Sequence, residues 1–353
     1  MIDKIKIENF KSIQSLEIEL GRLNVFIGAN GSGKTNILEG IALGLLVSAN
    51  KCYNEILVNR GVRITKEELM KSAFDKDSNN QNIEINLSNV GNILLDLVIS
   101  FDFRANKWYA LSDKNKNENT INLEKINPSF NISDFENFAI FSPENTFLRK
   151  FEDEGALEPI GVKGEGLFKH IVKIFKENPK KAQQIKENLQ LLDWFEDFDI
   201  PKDLMFTEKR IAIKDRFLEN GLSYFDQRSA NEGFLFLLFY FTLFISDETP
   251  NFFAVDNIDT ALNPKLGAKT IEILANLAKN NDKQAILTTH NPAILDGLNL
   301  NDDNQRLFVV YRNADGHTKV KRIFKKPTPE GQTPVRLSEQ FLRGYLGGLP
   351  DNF

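Results

Sequence analysis

Eight consecutive residues, 28–35, form a glycine-rich loop of the kind that holds phosphate groups. They read Gly-Ala-Asn-Gly-Ser-Gly-Lys-Thr, a complete G-x-x-x-x-G-K-[ST] pattern. The apolar run 23–27 predicts a strand before the loop, and the helical spacing of apolar residues in 36–46 predicts a helix after it. Backbone N–H groups and a helix dipole then face one spot, where Lys34 would reach the β- and γ-phosphates and the Thr35 hydroxyl would hold Mg²⁺. The sequence therefore predicts a site for ATP or GTP.

The same loop is compatible with two weaker alternatives. A glycine-rich turn can match the pattern by chance, but the predicted strand and helix on either side argue against that. A dinucleotide-binding fingerprint needs a third glycine at position 36, which is occupied by Asn36. The residues alone do not choose between adenine and guanine.

Composition excludes several classes of protein. The chain of 353 residues is 41% hydrophobic and 26% charged, which is ordinary for one large or two smaller globular domains. No apolar stretch reaches the ~18 residues of a membrane span and the N-terminus lacks a signal core, so we expect a cytoplasmic protein without membrane contact. One cysteine and three histidines leave no internal disulfide and little material for a zinc site. The net charge of −5 excludes a globally basic nucleic-acid binder but not a local basic patch.

The N-terminal sequence resembles a known family. The stretches K-I-K-I-E-N-F-K-S-I and L-N-V-F-I-G-A-N-G-S-G-K-T-N-I-L-E-G-I look like the start of the RecF/SMC-type branch of the ABC ATPases, which includes OLD-like and related defence ATPases. The resemblance implies an α/β fold: a P-loop NTPase of ABC-ATPase type, with a mixed sheet, flanking helices and a small helical lid insertion. It also implies ATP and Mg²⁺ as ligands. The nucleotide-binding residues that it implies here are Lys11, Gly28, Asn30, Gly31, Ser32, Gly33, Lys34, Thr35 and Asn36.

Lys11 lies in the predicted turn between two predicted strands, 4–7 and 15–20. In the family a basic residue at this position can approach the phosphates. A solvated surface lysine is the alternative.

A second motif precedes a long apolar run, 233–245, that predicts a buried helix. The family has Ser-x-Gly before such a helix, which faces the γ-phosphate bound by the opposite subunit. This chain has Asn231, Glu232 and Gly233 there, and Asn can still cap a helix. A capped core helix without a nucleotide role is the alternative. The motif lies roughly 200 residues after the P-loop and no LSGGQ occurs, which argues against a transporter subunit.

The apolar strand predicted at 252–255 ends in Asp256 and looks like a Walker B strand, whose aspartate holds the metal. The family commonly has glutamate next, as the general base, but this chain has Asn257, and an amide cannot accept a proton from water. Asp259 matches a second acidic position of OLD-like relatives and could substitute. The resemblance thus implies slow hydrolysis, or hydrolysis that needs a partner.

Another apolar strand, 284–290, ends in His290, within Thr-His-x-Pro. In a P-loop fold this is the switch position, where histidine contacts the γ-phosphate; a structural histidine is the alternative. By its position in the chain, the family's Q-loop is expected at the end of the strand predicted at 138–145. Its usual glutamine is absent, and Glu144 or Asn145 is the candidate there.

The predicted organisation is one ABC-type head, 1–353, built from two lobes, 1–160 and 226–326. Between the lobes, 161–225 is a helical lid insertion with helices at 167–177 and 180–195, too short for coiled-coil arms. The tail 327–353 is apolar at its end and is predicted to dock on the body or on a partner. Before the tail, a predicted hairpin carries the most basic stretch of the chain: Lys319, Lys321, Arg322, Lys325 and Lys326. Two interpretations of these residues remain: an edge strand protected by lysines against pairing with other chains, or a contact with DNA.

Two classes of function follow from the resemblance. Both assume a homodimer, or a higher homo-oligomer, that closes on nucleotide. In one, the chain is an ATP-gated sensor or scaffold for a separate effector chain, a nuclease or toxin, in antiphage defence. In the other, it is a RecF-like repair ATPase that acts on DNA. Asn257 and the acidic charge favour the first, as do the 63 residues after His290, too few for the nuclease domain of OLD enzymes.

Overall fold

The computed structural model describes residues 1–74, 81–89, 92–111, 137–151, 157–201, 209–219, 224–325 and 334–349. Its strands are β1 (Lys4–Phe10), β2 (Ile13–Glu19), β3 (Leu23–Ile27), β4 (Ile83–Asn89), β5 (Asn92–Asp102), β6 (Lys107–Leu111), β7 (Ile140–Phe141), β8 (Phe195–Asp199), β9 (Ala212–Asp215), β10 (Phe252–Val255), β11 (Gln284–Thr289), β12 (Gln305–Arg312) and β13 (Thr318–Ile323). Its helices are α1 (Lys34–Ser48), α2 (Asn54–Asn59), α3 (Glu67–Met70), α4 (Asn145–Lys150), α5 (Leu167–Glu177), α6 (Pro179–Leu189), α7 (Glu232–Ile245), α8 (Pro264–Asn280), a 3₁₀ helix (Pro292–Gly297) and α9 (Leu337–Leu342).

A six-stranded sheet forms the centre of the molecule, in the order β13-β12-β3-β11-β10-β7. All of its neighbouring pairs are parallel except β12 with the edge strand β13. Strands β3, β10 and β11 are buried along their whole length, as expected for parallel strands covered on both faces. The predicted α/β fold with a mixed sheet is confirmed.

A second, antiparallel sheet of order β2-β1-β4-β5-β6 lies on one side of the central sheet. Helix α1 packs between the two sheets, which explains why it is buried on nearly every side. The alternate side chains of β1 that are buried belong to the same hydrophobic cluster as Phe26 of the central sheet. The strand β1 extends three residues beyond the predicted 4–7, because its pairing with β2 continues to Phe10 and Ile13.

The other face of the central sheet is covered by helices, with α7 in the middle. Apart from Glu232, Gly233 and Thr242, every residue of α7 is apolar or aromatic, and the helix is buried from Phe234 to Ile245. Helix α6 packs on α7 and α5 packs on α6, and both share the hydrophobic cluster of α7. The second helix predicted for this region, 180–195, is wrong in its last turns: α6 ends at Leu189, and Phe195 begins β8, which pairs with β9. The insertion is therefore mixed α/β.

The chain after the central sheet packs back onto it. Phe341 of α9 and Leu346 are buried in the α7-side cluster. Lys319 and Lys321 lie on the edge strand β13, while Arg322 is paired with Asp303. Lys326 lies outside the described residues, and so does the stretch 113–119, whose Lys/Asn-rich sequence predicts a polar loop. Within the described ranges, none of the helices has the length and apolar character needed to cross a bilayer.

A buried histidine holds the insertion against the end of α7. His170 of α5 is 2% exposed, and its Nε2 lies 2.8 Å from the Ser246 hydroxyl that follows α7. Burial lowers the pKa of His170 from 6.5 to about 4. Because the unfolded chain binds this proton at higher pH than the folded one, stability falls as the pH drops from 6.5 towards 4.

We predict that His170→Gln will remove part of this pH dependence. Between pH 7 and pH 5 the wild-type chain should lose about 2 kcal/mol more stability than the variant, as the pKa difference requires. Urea unfolding at the two pH values measures the difference. Equal losses in both proteins would contradict the assignment.

Candidate functional site

The glycine-rich loop joins the carboxyl end of β3 to the N-terminus of α1. Its conformation is set by the hairpin β12–β13, which lies against it. A Cβ on Gly33, which has φ +104°, would lie 2.0 Å from Thr318 Oγ1, and a Cβ on Gly28 would lie 2.0 Å from the Val310 carbonyl oxygen. Thr318 also donates a hydrogen bond to the Ser32 carbonyl at 3.0 Å. Glycine is therefore required at both positions by packing, and at position 33 by backbone conformation as well.

The Lys34 ammonium lies inside this loop. Its Nζ donates to the Gly28 and Ala29 carbonyls at 2.7 and 3.1 Å, and it lies 3.3 Å from His290 Nδ1. Burial lowers the pKa of Lys34 to about 8, although the carboxylates of Asp256 and Asp259 oppose the shift. Burial and the neighbouring ammonium likewise lower the pKa of His290. At neutral pH the site thus holds a charged lysine beside a neutral imidazole that can accept its hydrogen bond.

The Thr35 hydroxyl and the Asp256 carboxylate meet at the carboxyl ends of the central strands. Thr35 Oγ1 donates to Asp256 Oδ2 at 2.9 Å, and Thr288 Oγ1 donates to the other carboxylate oxygen. One hydroxyl and one carboxylate fit Mg²⁺, which takes one or two protein oxygens and completes its shell with phosphates and water. Within the described ranges, no group of three His, Cys, Asp or Glu side chains is placed to hold a metal ion by itself.

Asn257 and Asp259 follow in a turn after β10. Asn257 adopts φ +56°, a left-handed conformation in which Asn is enriched among non-glycine residues. Its N–H donates to Thr288 Oγ1 at 2.9 Å. Asp259 is partly buried, and its Oδ1 has no hydrogen-bond partner among the described residues. Its charge acts on the side chains of both Lys34 and His290.

Lys11 belongs to a buried ion-pair cluster. Its Nζ lies 2.7 Å from Glu39 Oε2, and the Glu39 side chain is 0% exposed. Arg63 also pairs with Glu39 at 2.7 Å and reaches Asn36 Oδ1 at 3.2 Å. A carboxylate this deeply buried is tolerated because both cations neutralise it. Lys11 is therefore not the solvated surface lysine of the alternative; it is linked to the P-loop helix through Glu39.

Sequence reasoning missed Arg63, Thr318, Ser12 and Arg312. Ser12 and Thr318 share a hydrogen bond of 2.7 Å, and Asn36 donates to Ser12 at 2.6 Å. Arg312 Nε donates to the Gly31 carbonyl at 2.9 Å. These residues carry no motif, so no sequence signal marks them; only their contacts with the loop and its helix do.

Asn30 and Gly31, which the sequence places among the nucleotide-binding residues, are exposed on the outer side of the loop.

The second motif lies apart from the P-loop group. Asn231 caps α7 by accepting the Phe234 N–H at 2.8 Å, and Gly233 lies beside the Ala261 carbonyl. Asn231 and Gly233 line a cleft of about 890 Å³ between the starts of α7 and α8. Glu232 accepts a hydrogen bond of 2.6 Å from Asn145. The other candidate for the Q-loop position, Glu144, pairs with Lys163. The predicted residues thus form two groups: one around Lys34 and Asp256, and one at the start of α7.

Comparison with known proteins places this arrangement in a family. A family model described as "AAA domain, putative AbiEii toxin, Type IV TA system" matches residues 23–296. The chain is 43% identical over 58 residues to the DNA double-strand break repair Rad50 ATPase of Methanopyrus kandleri, covering 16% of this chain and 7% of that protein. It is 33% identical over 158 residues to the DNA replication and repair protein RecF of Clostridium tetani, covering 42% and 36%. The chain therefore spans only a small part of the length of these curated relatives.

Solved structures of SMC heads share the fold. An Smc head bound to the C-terminal winged-helix domain of ScpA aligns with a TM-score of 0.58 at 15% identity, covering 92% of this chain and 98% of that one. An Smc head with an extended coiled coil, from a Pyrococcus furiosus complex with the ScpA C-terminal domain, gives 0.52 at 14% identity, covering 92% and 96%. The match over residues 23–296 and the shared fold lead to one conclusion: the chain belongs to the AAA-domain family described above, and its fold is that of a RecF/SMC-type ABC ATPase head.

Proposed function

We propose that this chain is an ATP-binding, slowly hydrolysing ABC-type ATPase that closes as a homodimer on Mg²⁺–ATP and controls a separate effector chain. One observation carries the proposal. Lys34 lies inside the P-loop and Thr35 donates to Asp256, while the residue after Asp256 is an amide and not a carboxylate. The site is thus equipped to hold a triphosphate and poorly equipped to hydrolyse it quickly.

Binding would replace contacts that the loop makes with itself. Lys34 donates to loop carbonyls at 2.7 and 3.1 Å, and phosphate oxygens offer the same ammonium stronger, charged acceptors. The N–H groups at the start of α1 add the helix dipole. Thr35 and Asp256 would hold Mg²⁺, which would neutralise phosphate charge when bound.

Hydrolysis would depend on Asp259 and His290. Asn257 can orient a water molecule but cannot accept its proton. Asp259 is the other carboxylate that the turn provides after Asp256, and its charge already acts on the Lys34 and His290 side chains. In this proposal Asp259 accepts the proton and His290 contacts the γ-phosphate.

The homodimer would complete each site with the second motif of the partner. Asn231 and Glu232 are exposed at the N-terminus of α7, a helix of fourteen residues, and the hydrogen bonds of their side chains go to Phe234 and Asn145. A helix N-terminus attracts negative charge, and the γ-phosphate of a nucleotide bound by the opposing subunit is negatively charged. Nucleotide would then act as the switch between monomer and dimer, to which an effector, a nuclease or toxin of antiphage defence, responds.

A RecF-like repair ATPase that acts on DNA is the second candidate. The Rad50 and RecF relatives favour it, and so do Lys319 and Lys321 on the edge strand β13, which is able to face a phosphate backbone.

We predict that Lys34→Ala will weaken ATP binding by about 100-fold. Removing a charged hydrogen bond to phosphate costs about 3 kcal/mol, which corresponds to that factor. Titration with a fluorescent ATP analogue measures the change, and Lys176→Ala, an exposed lysine on α5, is the matched control. Wild-type affinity in Lys34→Ala would contradict the assignment of the P-loop.

We predict that Asp259→Asn will reduce ATP turnover by about 100-fold, the range in which a general base contributes. ATP affinity should stay within about twofold, since the P-loop is untouched and one hydrogen bond at most is altered. Phosphate release under saturating ATP gives the rate. Retention of full turnover would place the base elsewhere.

The two candidate functions predict different partners. If the chain controls an effector, a tagged chain expressed with its neighbouring genes should retain a second protein with Mg²⁺–ATP and release it without nucleotide. Asp259→Asn should retain that protein longer, because the ATP-bound state persists. If the chain is a repair ATPase, linear duplex DNA should stimulate turnover several-fold and Lys319→Glu with Lys321→Glu should abolish the stimulation. Stimulation without any retained protein would favour the second candidate.

A further inference from the structure

Two buried polar atoms lack hydrogen-bond partners at the boundary between α7 and the turn after β10. One is the Tyr240 hydroxyl, on a side chain that is 0% exposed; the other is Asp259 Oδ1. Neither atom has a partner among the residues that the structure describes. An unsatisfied buried polar group is costly, and native proteins keep few of them outside functional sites.

The two atoms belong to elements that pack on each other. Tyr240 follows Phe239, whose ring packs on Phe141 at 5.9 Å between centroids, and the Phe141 carbonyl accepts the Asp256 N–H at 2.8 Å. The middle of α7 therefore lies directly against the strand ends that carry Asp256 and the turn. Burial and the Asp259 charge both raise the pKa of Tyr240, so the phenol stays protonated and able to donate.

The backbone of the turn that carries Asp259 is unusual at two positions. Asn257 and Ala261, on either side of it, both adopt left-handed conformations, with φ +56° and +63°. Asn tolerates this conformation, whereas it is strained for Ala261, and strained residues cluster at active sites and switch regions. Ala261 is also the residue whose carbonyl lies beside Gly233 at the start of α7. A shift of this turn would change the distance between Asp259 and the helix.

We propose that Tyr240 is a positioning residue for hydrolysis: its hydroxyl donates to the Asp259 carboxylate when the turn moves into its reactive position. This inference rests on the proposed role of Asp259 as proton acceptor. The two unsatisfied atoms satisfy each other in that arrangement, and the carboxylate is held with one oxygen fixed and the other free to take the proton of water. Because α7 begins just after Asn231, the same contact ties the base to the helix whose N-terminus would meet the partner's nucleotide.

The test is a double-mutant cycle of Tyr240→Phe and Asp259→Asn. We expect Tyr240→Phe to lower the maximal turnover of ATP about tenfold while ATP affinity is unchanged, because only the positioning of the base is lost. In the Asp259→Asn background the same substitution should cause no further loss. Tyr109→Phe, which removes a phenol hydroxyl from β6 in the other sheet, is the matched control and should turn over ATP normally.

A stability measurement separates positioning from packing. The Tyr240 hydroxyl has no partner in the described residues, so its removal should leave the melting temperature unchanged or raise it. A lower melting temperature together with equal losses of turnover in both backgrounds would show a packing role and overturn the proposal. Normal turnover of Tyr240→Phe, with Asp259→Asn impaired, would overturn the role of Tyr240 alone. Normal turnover of Asp259→Asn would overturn the proposed base and this inference with it.

Discussion

Parallel pairing of β3, β11 and β10 is the constraint on which the site depends. Parallel strands end at one edge of a sheet, so the residues that follow them are brought together although they are far apart in the chain. Lys34, Asp256 and His290 each follow one of these strands and meet there. The pairing is stabilised by burial on both faces: α1 and the antiparallel sheet cover one side, and α7 with its neighbours covers the other. Loss of either layer would expose the strands and separate the site residues.

The hairpin β12–β13 adds a second constraint that acts on the loop itself. It extends the parallel sheet beyond β3 and turns back, so that Val310 and Thr318 contact the backbone of the P-loop from outside. Arg312 fixes the Gly31 carbonyl from the same side. A loop with several glycines is otherwise free to adopt many conformations, and this support reduces that freedom without any ligand. The hairpin is thus part of the candidate nucleotide site, although it carries no recognised motif.

The parts of this structure that follow from sequence are those set by local patterns. The helix Leu167–Glu177 has the predicted bounds, since it is a short amphipathic run between clear breaks. The helix predicted at 180–195 failed because its apolar residues keep helical spacing beyond α6, while pairing with β9 converts Phe195 into a strand. The contacts that support the loop could not be predicted from the sequence for a different reason. Thr318 meets Ser32 across 286 residues, and no periodicity near either position encodes the pair.

The left-handed turn after Asp256 gives a physical reason for the amide at position 257. A glutamate at φ +56° would cost about 1–2 kcal/mol of backbone strain, whereas Asn is among the residues that tolerate this conformation. The Asn257 N–H also holds Thr288, which in turn fixes Asp256. The backbone at position 257 thus contributes to orienting the Asp256 carboxylate, and the asparagine side chain suits this backbone conformation. Asp259 lies two residues further along the same turn, and its charge acts on both Lys34 and His290, which is why we propose this carboxylate as the proton acceptor.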